Sequence, residues 1–191
     1  HPMTSVNNIA MLESFWDFSI RTYKTEQVAT ACLSLQDERG VDVNMLLFCC
    51  WFGHTRGHLP LQSFQEIFDF SENWAARVVR PLRGARTWMK SDGCSDPRMP
   101  TRTCMELREK IKGLELNAEK IQQSVLESLI SSFPEIAATL PAQLDAITNN
   151  VFQYFDTVNI NNDDFIREKL SVAIEAGVTD FTKEQIQSAL A

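Results

Sequence analysis

The 191-residue chain is poor in glycine and proline, with seven of each, and it has no long apolar run. Low glycine and proline content excludes collagen-like and low-complexity chains, and a hydrophobic content of 44% excludes intrinsic disorder. The longest apolar stretch, Met45 to Phe52, has eight residues, whereas a membrane-spanning helix needs about 20. We therefore expect a globular protein with one main domain and no membrane association.

Cysteine is also scarce, and its pattern bears on the compartment. The five cysteines are Cys32, Cys49, Cys50, Cys94 and Cys104. Their number is odd, and no pair has the C-x-x-C spacing, so we expect reduced thiols and a cytoplasmic location. No signal peptide is visible, and we expect His1 and Pro2 to be left over from cloning, with Met3 as the natural first residue.

Charge is distributed unevenly along the chain. The formal net charge is -7, yet residues 77–120 hold eleven basic and six acidic residues, a net of +5, which leaves -12 for the remainder. A solvated helix face and a docking surface for an acidic partner or nucleic acid are both compatible with this pattern.

The spacing of apolar residues predicts helices throughout and no strand. Ser14 and Thr25 are expected to cap two helices, the second of which ends at Gly40 in a left-handed conformation. Asp42 then caps a helix over Val43–Phe52 that is apolar on every side. Such a helix must be covered on every side, so we place it at the centre of the core.

Two heptad seams follow the apolar helix. The first is Ile67, Ser71, Trp74, Val78, Pro81, Ala85 and Trp88, and the second is Leu107, Ile111, Leu114, Ala118, Ile121 and Val125. They predict an all-α helical bundle built on a long antiparallel hairpin, Leu61–Lys90 with Thr103–Ile130, as the natural partner of the apolar helix. Because Pro81 lacks an N–H, it should kink the first arm near Arg77–Arg80.

The chain changes character towards its C-terminus. We expect a helical bundle domain over residues 3–156 and a C-terminal helical appendage over 157–191, in which Thr182 and Gln185 form a capping box. The apolar stripe of this appendage must pack on the body of the protein or on a second subunit, which makes a homodimer one possible assembly.

A candidate ligand pocket lies near the end of the apolar helix. On a straight helix Cys50, His54 and His58 would share one face, but Gly53 and Gly57 interrupt it, so we predict no metal site and no cofactor. A pocket for a small apolar ligand or haem is kept as an alternative. Its residues would be Trp51, Phe52, His54, His58 and Trp74.

A basic helix face is the leading candidate for partner binding. Its residues are Arg77, Arg80, Arg83, Arg86 and Lys90. Arginine suits bidentate capture of carboxylates, and no aromatic residues are interleaved for stacking on bases, so we favour an acidic protein partner over nucleic acid. No nucleotide-binding or hydrolase motif is present, and we predict no catalytic residues and no enzymatic activity.

Several blocks resemble a known family. They are Phe15-Trp16-Asp17-Phe18-Ser19, Ala31-Cys32-Leu33-Ser34-Leu35-Gln36-Asp37, Asp42-Val43-Asn44-Met45-Leu46-Leu47-Phe48-Cys49-Cys50-Trp51 and Val78-Val79-Arg80-Pro81-Leu82-Arg83. In this order they look like a bacterial family of short helical proteins known as a domain of unknown function, over about residues 14–155. The resemblance implies a cytosolic, mostly helical bacterial protein, and it implies no activity.

Three functions therefore stay open at this point. The leading hypothesis is a non-enzymatic adaptor or regulatory protein that uses the basic face to hold an unknown protein partner. The first alternative is a helical binder of a small apolar ligand or haem. The second is a nucleic-acid-associated regulator that uses the same arginines.

Overall fold

A computed structural model describes residues 13–136 and 138–191, so the expected start at Met3 lies outside it. The helices are α1 (Phe15–Thr22), α2 (Glu26–Arg39), α3 (Val43–Arg56), α4 (Leu61–Trp74), α5 (Arg80–Ser91), α6 (Thr101–Leu129), α7 (Leu140–Val158), α8 (Asp164–Gly177) and α9 (Lys183–Leu190). Those residues contain no strand, and the all-α prediction is confirmed.

The helices begin where side chains satisfy their free N–H groups. Ser14 accepts a hydrogen bond from the backbone N–H of Asp17 at the start of α1, and Thr25 and Asp42 cap α2 and α3 in the same way. Gly40 ends α2 with a left-handed φ of 68°. These four predictions are confirmed, because capping depends on local geometry alone.

The apolar helix α3 is covered on every side. Every residue from Met45 to Gly53 is buried, including Cys49 and Cys50. The hairpin was expected to be its main partner, but α3 packs most extensively against α7. Gly53 makes this possible, because a Cβ there would lie 2.8 Å from the backbone N of Ile147, well inside van der Waals contact.

The long rod from α4 to α5 contains a π-helical turn, Ala75–Val79, directly before Pro81. Arg80 donates its N–H to the carbonyl of Ala75, five residues back. Pro81 has no N–H for the carbonyl of Arg77, and its ring would clash there in an α-helix, so a wider turn relieves the conflict. The helix is therefore irregular near Arg77–Arg80, where a kink was expected, and the irregularity is a π turn.

The buried line of the rod lies one residue along from the predicted seam. After Ser71 the predicted seam continued through Trp74, Val78 and Trp88, but the side chains that turn inward are Ala75, Val79 and Met89, and Trp88 is 58% exposed. The seam predicted on α6 is displaced in the same way. Its residues Leu107, Leu114 and Ile121 are about half exposed, while their neighbours Arg108, Glu115 and Gln122 are buried. Both predicted seams are therefore wrong in register, because apolar spacing alone does not show which of two neighbouring lines faces the other helix.

The rod and α6 lie side by side and antiparallel. Trp74 near the start of the rod donates its indole N–H to the carbonyl of Ala118, and Arg83 further along reaches Glu115. At the far end a disulfide joins Cys94 to Cys104. The expectation of reduced thiols is wrong for this pair, because the connecting turn brings together two cysteines that are ten residues apart.

The C-terminal helices pack onto the body. Helix α8 contacts α1 and α2, and α9 contacts α7 and α8. Ile174 and Ile186 belong to the same core as the aromatic residues of α3, and the capping box of Thr182 and Gln185 is confirmed. The predicted division at residue 156 lies inside α7.

Across the two described ranges, no helix is both long enough and apolar enough to cross a bilayer.

Gly53→Ala tests the close approach of α3 and α7. We expect the free energy of unfolding to fall by about 1–3 kcal/mol, because the added Cβ meets the backbone of Ile147 rather than a movable side chain. Gly84→Ala is the matched control, since a Cβ at this α5 position meets nothing within 4 Å. It should raise stability by about 0.5–1 kcal/mol in urea unfolding. Equal effects of the two variants would contradict the packing described here.

Alkylation under denaturing, non-reducing conditions tests the cysteine pairing. Iodoacetamide should modify three of the five cysteines, namely Cys32, Cys49 and Cys50, because the other two are held in the disulfide. After reduction it should modify all five, as intact mass spectrometry will report. If all five cysteines were modified without reductant, the disulfide would be absent and the expectation of reduced thiols would hold.

Candidate ligand-binding cleft

A cleft of about 810 Å³ opens between α1 and α2 on one side and the rod and α6 on the other. Its volume lies in the range of small-molecule sites, roughly 300–1,000 Å³. We call it the interhelical cleft. Its apolar side chains include Trp16, Ile20, Leu33, Leu47, Val79 and Leu116. Three of these, Ile20, Leu33 and Leu116, are about half exposed, so the mouth of the cleft is apolar and open.

A polar network forms the floor of the cleft where the N-terminus of α3 meets α6. Asp42 accepts hydrogen bonds from the backbone N–H of Asn44 at 2.9 Å and from the amide of Gln122 at 3.2 Å. Asn44 donates to Gln122 at 2.8 Å, and Gln123 donates to Asn44 at 2.9 Å. Tyr154 accepts the N–H of Asp42 at 2.8 Å. The floor is thus rigid and pre-organised.

Two buried polar atoms of the lining have no hydrogen-bond partner among the described residues. They are the Oε1 atom of Gln123 and the hydroxyl of Ser19, whose residues are 3% and 6% exposed. Ser19 on α1 and Gln123 on α6 both line the cleft, and the N–H of Phe15 on α1 donates to Glu127 on α6. An unpartnered buried acceptor is costly, so a bound group with donors would be stabilised here.

Charged residues form the wall between α5 and α6. Arg83 donates to Glu115 at 2.9 Å and to Glu119 at 2.8 Å, while Arg86 donates to Glu115 at 3.2 Å. Burial works against ionisation of Glu115, but the hydrogen bonds from Arg86 and Arg83 outweigh it and hold its pKa below the ordinary value. Glu115 is therefore a carboxylate shared by two guanidinium groups.

Two other carboxyl groups of the cleft have raised pKa values. Burial is the main cause for both Asp42 and Glu119, and for Glu119 the negative charges of Glu115 and Asp42 add to it. Burial likewise raises the pKa of Tyr23, at the mouth, to about 12. The two carboxyl groups lack enough positive charge nearby to offset their burial.

The predicted basic face is divided by the structure. Arg77 and Lys90 are exposed, and Arg80 pairs with Glu72 on the same rod. Arg83 and Arg86 turn towards α6, where both are about three-quarters buried. A spacing of three residues advances by about 300° on an α-helix, so the five residues spread over about half of its circumference and do not share one solvent face.

The five residues of the predicted ligand pocket lie outside the interhelical cleft. Trp51 and Phe52 are buried in the core. His54 hydrogen-bonds to Gln143 at 3.0 Å, and His58 contacts Asp145 on α7 at 3.2 Å. Trp74 packs against α6. The described ranges contain no group of three or more His, Cys, Asp or Glu side chains that could hold a metal ion.

Sequence reasoning missed most of the polar residues of the cleft. Asp42 was identified only as a helix cap, and Gln122, Gln123 and Ser19 were not singled out. A weak signal was available, because Glu115, Glu119 and Gln122 recur at helical spacing directly beside the apolar seam of α6. A buried polar stripe and a solvated one have the same spacing, so the pattern did not distinguish them.

Glu115→Gln tests the charged wall. The free energy of unfolding at pH 7 should fall by about 1–3 kcal/mol, because two largely buried guanidinium groups lose their shared carboxylate. The folded pKa of Glu115 is lowered, so its contribution is present above its unfolded pKa, about 4.3, and is lost as the pH falls through the folded value. Urea unfolding of both proteins from pH 7 to pH 3 should show the difference shrinking.

Glu106→Gln on the same helix is the control for this measurement. Glu106 is 61% exposed and pairs with Arg102, which is 94% exposed, so its loss should cost less than about 0.5 kcal/mol. Comparable losses at the two positions would show that the wall does not stabilise the fold.

No curated protein and no solved structure matches the chain. One family does match: a family of proteins of unknown function, DUF2390, over residues 14–126. The match begins where the resemblance in the sequence was expected to begin and stops short of residue 155. It spans more than half of the chain, and the chain therefore belongs to the DUF2390 family.

Proposed function

We propose that this protein binds a small amphipathic organic molecule in the interhelical cleft and does not catalyse a reaction. The observation that carries the proposal is the pair of unpartnered polar atoms, on Ser19 and Gln123, in the lining of a cleft of about 810 Å³. Buried polar groups are nearly always paired, so two unpaired atoms in the lining of one cleft favour a bound partner.

The two halves of the cleft support an amphipathic ligand. Ile20, Leu33 and Leu116 offer an apolar mouth, while Asp42 and Gln123 offer acceptors at the floor. A ligand would therefore bury its apolar end by the hydrophobic effect and be oriented by a few polar contacts, as in most small-molecule sites.

The family match adds support from a different direction. The residues that line the cleft run from Trp16 to Gln123, entirely within the matched range 14–126. Helices α7, α8 and α9 lie outside it. The cleft is thus built only from the part of the chain that the family shares, as a common binding function requires.

The adaptor and nucleic-acid hypotheses receive less support. Both need the arginines of the rod to be available, yet Arg83 and Arg86 are engaged by Glu115 inside the cleft wall. The exposed basic residues that remain, such as Arg77 and Lys90, are too few and too scattered for strong electrostatic capture. The bacterial and cytoplasmic assignments stay predictions.

A blocking substitution tests the proposed function. Gly113 lines the cleft, and a Cβ there meets nothing within 4 Å, so Gly113→Trp should fill the cleft without displacing the backbone. Nile red, a neutral apolar dye, should bind the unmodified protein and fluoresce, and Gly113→Trp should weaken its binding at least about tenfold.

Gly84→Trp is the matched control. Gly84 is equally open but lies on the rod outside the cleft lining, so the substitution adds the same indole where it cannot block the site. Its Nile red binding should equal that of the unmodified protein. The cleft would be refuted as a ligand site if the dye failed to bind the unmodified protein or if it bound both variants equally.

A further inference from the structure

The acidic groups of the interhelical cleft outnumber the basic groups that neutralise them. Asp42, Glu115 and Glu119 all line the cleft, and the guanidinium groups that contact these carboxyls are those of Arg83 and Arg86. Three carboxylates share two cations, so one negative charge is left over within the part of the chain that the structure describes. A charge excess in a partly buried site is unfavourable unless a counter-charge is supplied.

The remaining lining charges do not remove this excess. Arg80 is held by Glu72, a residue outside the lining, so these two charges cancel. Glu109 is likewise held by Arg108, a residue outside the lining, at 3.0 Å, and Lys112 is exposed on the rim, where water screens its charge. The excess is therefore located near the floor, between Asp42 and Glu119.

The floor also has more free hydrogen-bond acceptors than donors, just as it has more negative than positive charge. Glu119 and Gln123 lie one turn apart on the same face of α6, and Asp42 bonds to Gln122 next to them. The Oε1 atom of Gln123 is buried and unpartnered, and of the two carboxylate oxygens of Glu119 only Oε1 accepts a hydrogen bond from Arg83 among the described residues. Three neighbouring side chains thus offer acceptors, and no donor among them awaits a partner.

We infer that the ligand of the interhelical cleft carries a protonated amine, which is held between Asp42, Glu119 and Gln123 with its apolar part directed to the mouth. An ammonium group has three donors and no acceptor, which matches three acceptors and one surplus negative charge. Burial raises the pKa of both carboxyls in the free protein, and the amine supplies the missing positive charge. This inference rests on the proposed ligand-binding function.

Three eight-carbon probes separate the head group from the tail. Octylamine, octanol and octanoate share one apolar chain, and each is titrated against Nile red bound to the full-length protein at pH 7. We expect octylamine to displace the dye at a concentration at least about tenfold lower than octanol, and octanoate to be the weakest, because its charge repels the floor.

Asp42→Asn identifies the group that recognises the amine. Asparagine also caps helices well, so α3 should persist, and thermal melting verifies this. The preference for octylamine over octanol should fall to less than about threefold, because octylamine binding weakens much more than octanol binding. Glu119→Gln, which affects no helix cap, should reduce the preference in the same direction and serves if Asp42→Asn is unstable.

Asp163→Asn is the matched control, because Asp163 caps α8 and does not line the cleft. It should leave all three titrations unchanged. The amine inference would be overturned if octanol displaced the dye as strongly as octylamine does. It would also be overturned if no probe displaced the dye while Gly113→Trp still weakened dye binding. In both cases the cleft would remain a ligand site. Dye binding insensitive to Gly113→Trp would instead refute the proposed function itself.

Discussion

Pro81 imposes a constraint that the cleft depends on. It cannot donate to the carbonyl four residues earlier, and the rod responds with a π turn over Ala75–Val79 that adds one residue to the helical path. One extra residue rotates all that follows by about a quarter of a turn or more relative to α4. Arg83 and Arg86, in the part of the rod that follows this turn, reach Glu115 on α6.

Charged side chains between two packed helices are tolerated here because the main core lies elsewhere. The large aromatic side chains gather around α3 and α7, with Phe15, Phe48 and Trp51 in mutual contact. That apolar burial is the dominant source of stability. The α5–α6 interface can therefore hold an ion-pair network, whose desolvation is costly, without endangering the fold.

The fold thus separates two tasks between two sets of helices. The side of α3 that packs on α7 belongs to the core, and Gly53 allows the closest approach of the two helices. The N-terminus of α3 also reaches the cleft, where Asp42 is at once a helix cap and part of the floor. A ligand at the floor would contact residues already held rigid by the core, which lowers the entropic cost of binding.

The features that depend on local geometry could be predicted from the amino-acid sequence alone. The caps at Ser14, Thr25 and Asp42, the left-handed Gly40 and the burial of α3 follow from short-range hydrogen bonds and from apolar side chains that must leave water. The all-α class follows from the same spacing rules, summed along the chain.

Which helices meet is settled only when the chain has folded. Helix α7 rather than the rod is the main neighbour of α3, Cys94 pairs with Cys104, and Arg83 turns inward to Glu115. Each of these contacts joins residues that lie apart in the chain. Spacing rules assume a fixed 3.6 residues per turn and contain no information on long-range partners. A buried polar stripe such as Glu115, Glu119 and Gln122 is therefore recognised only when the opposing helix is in place.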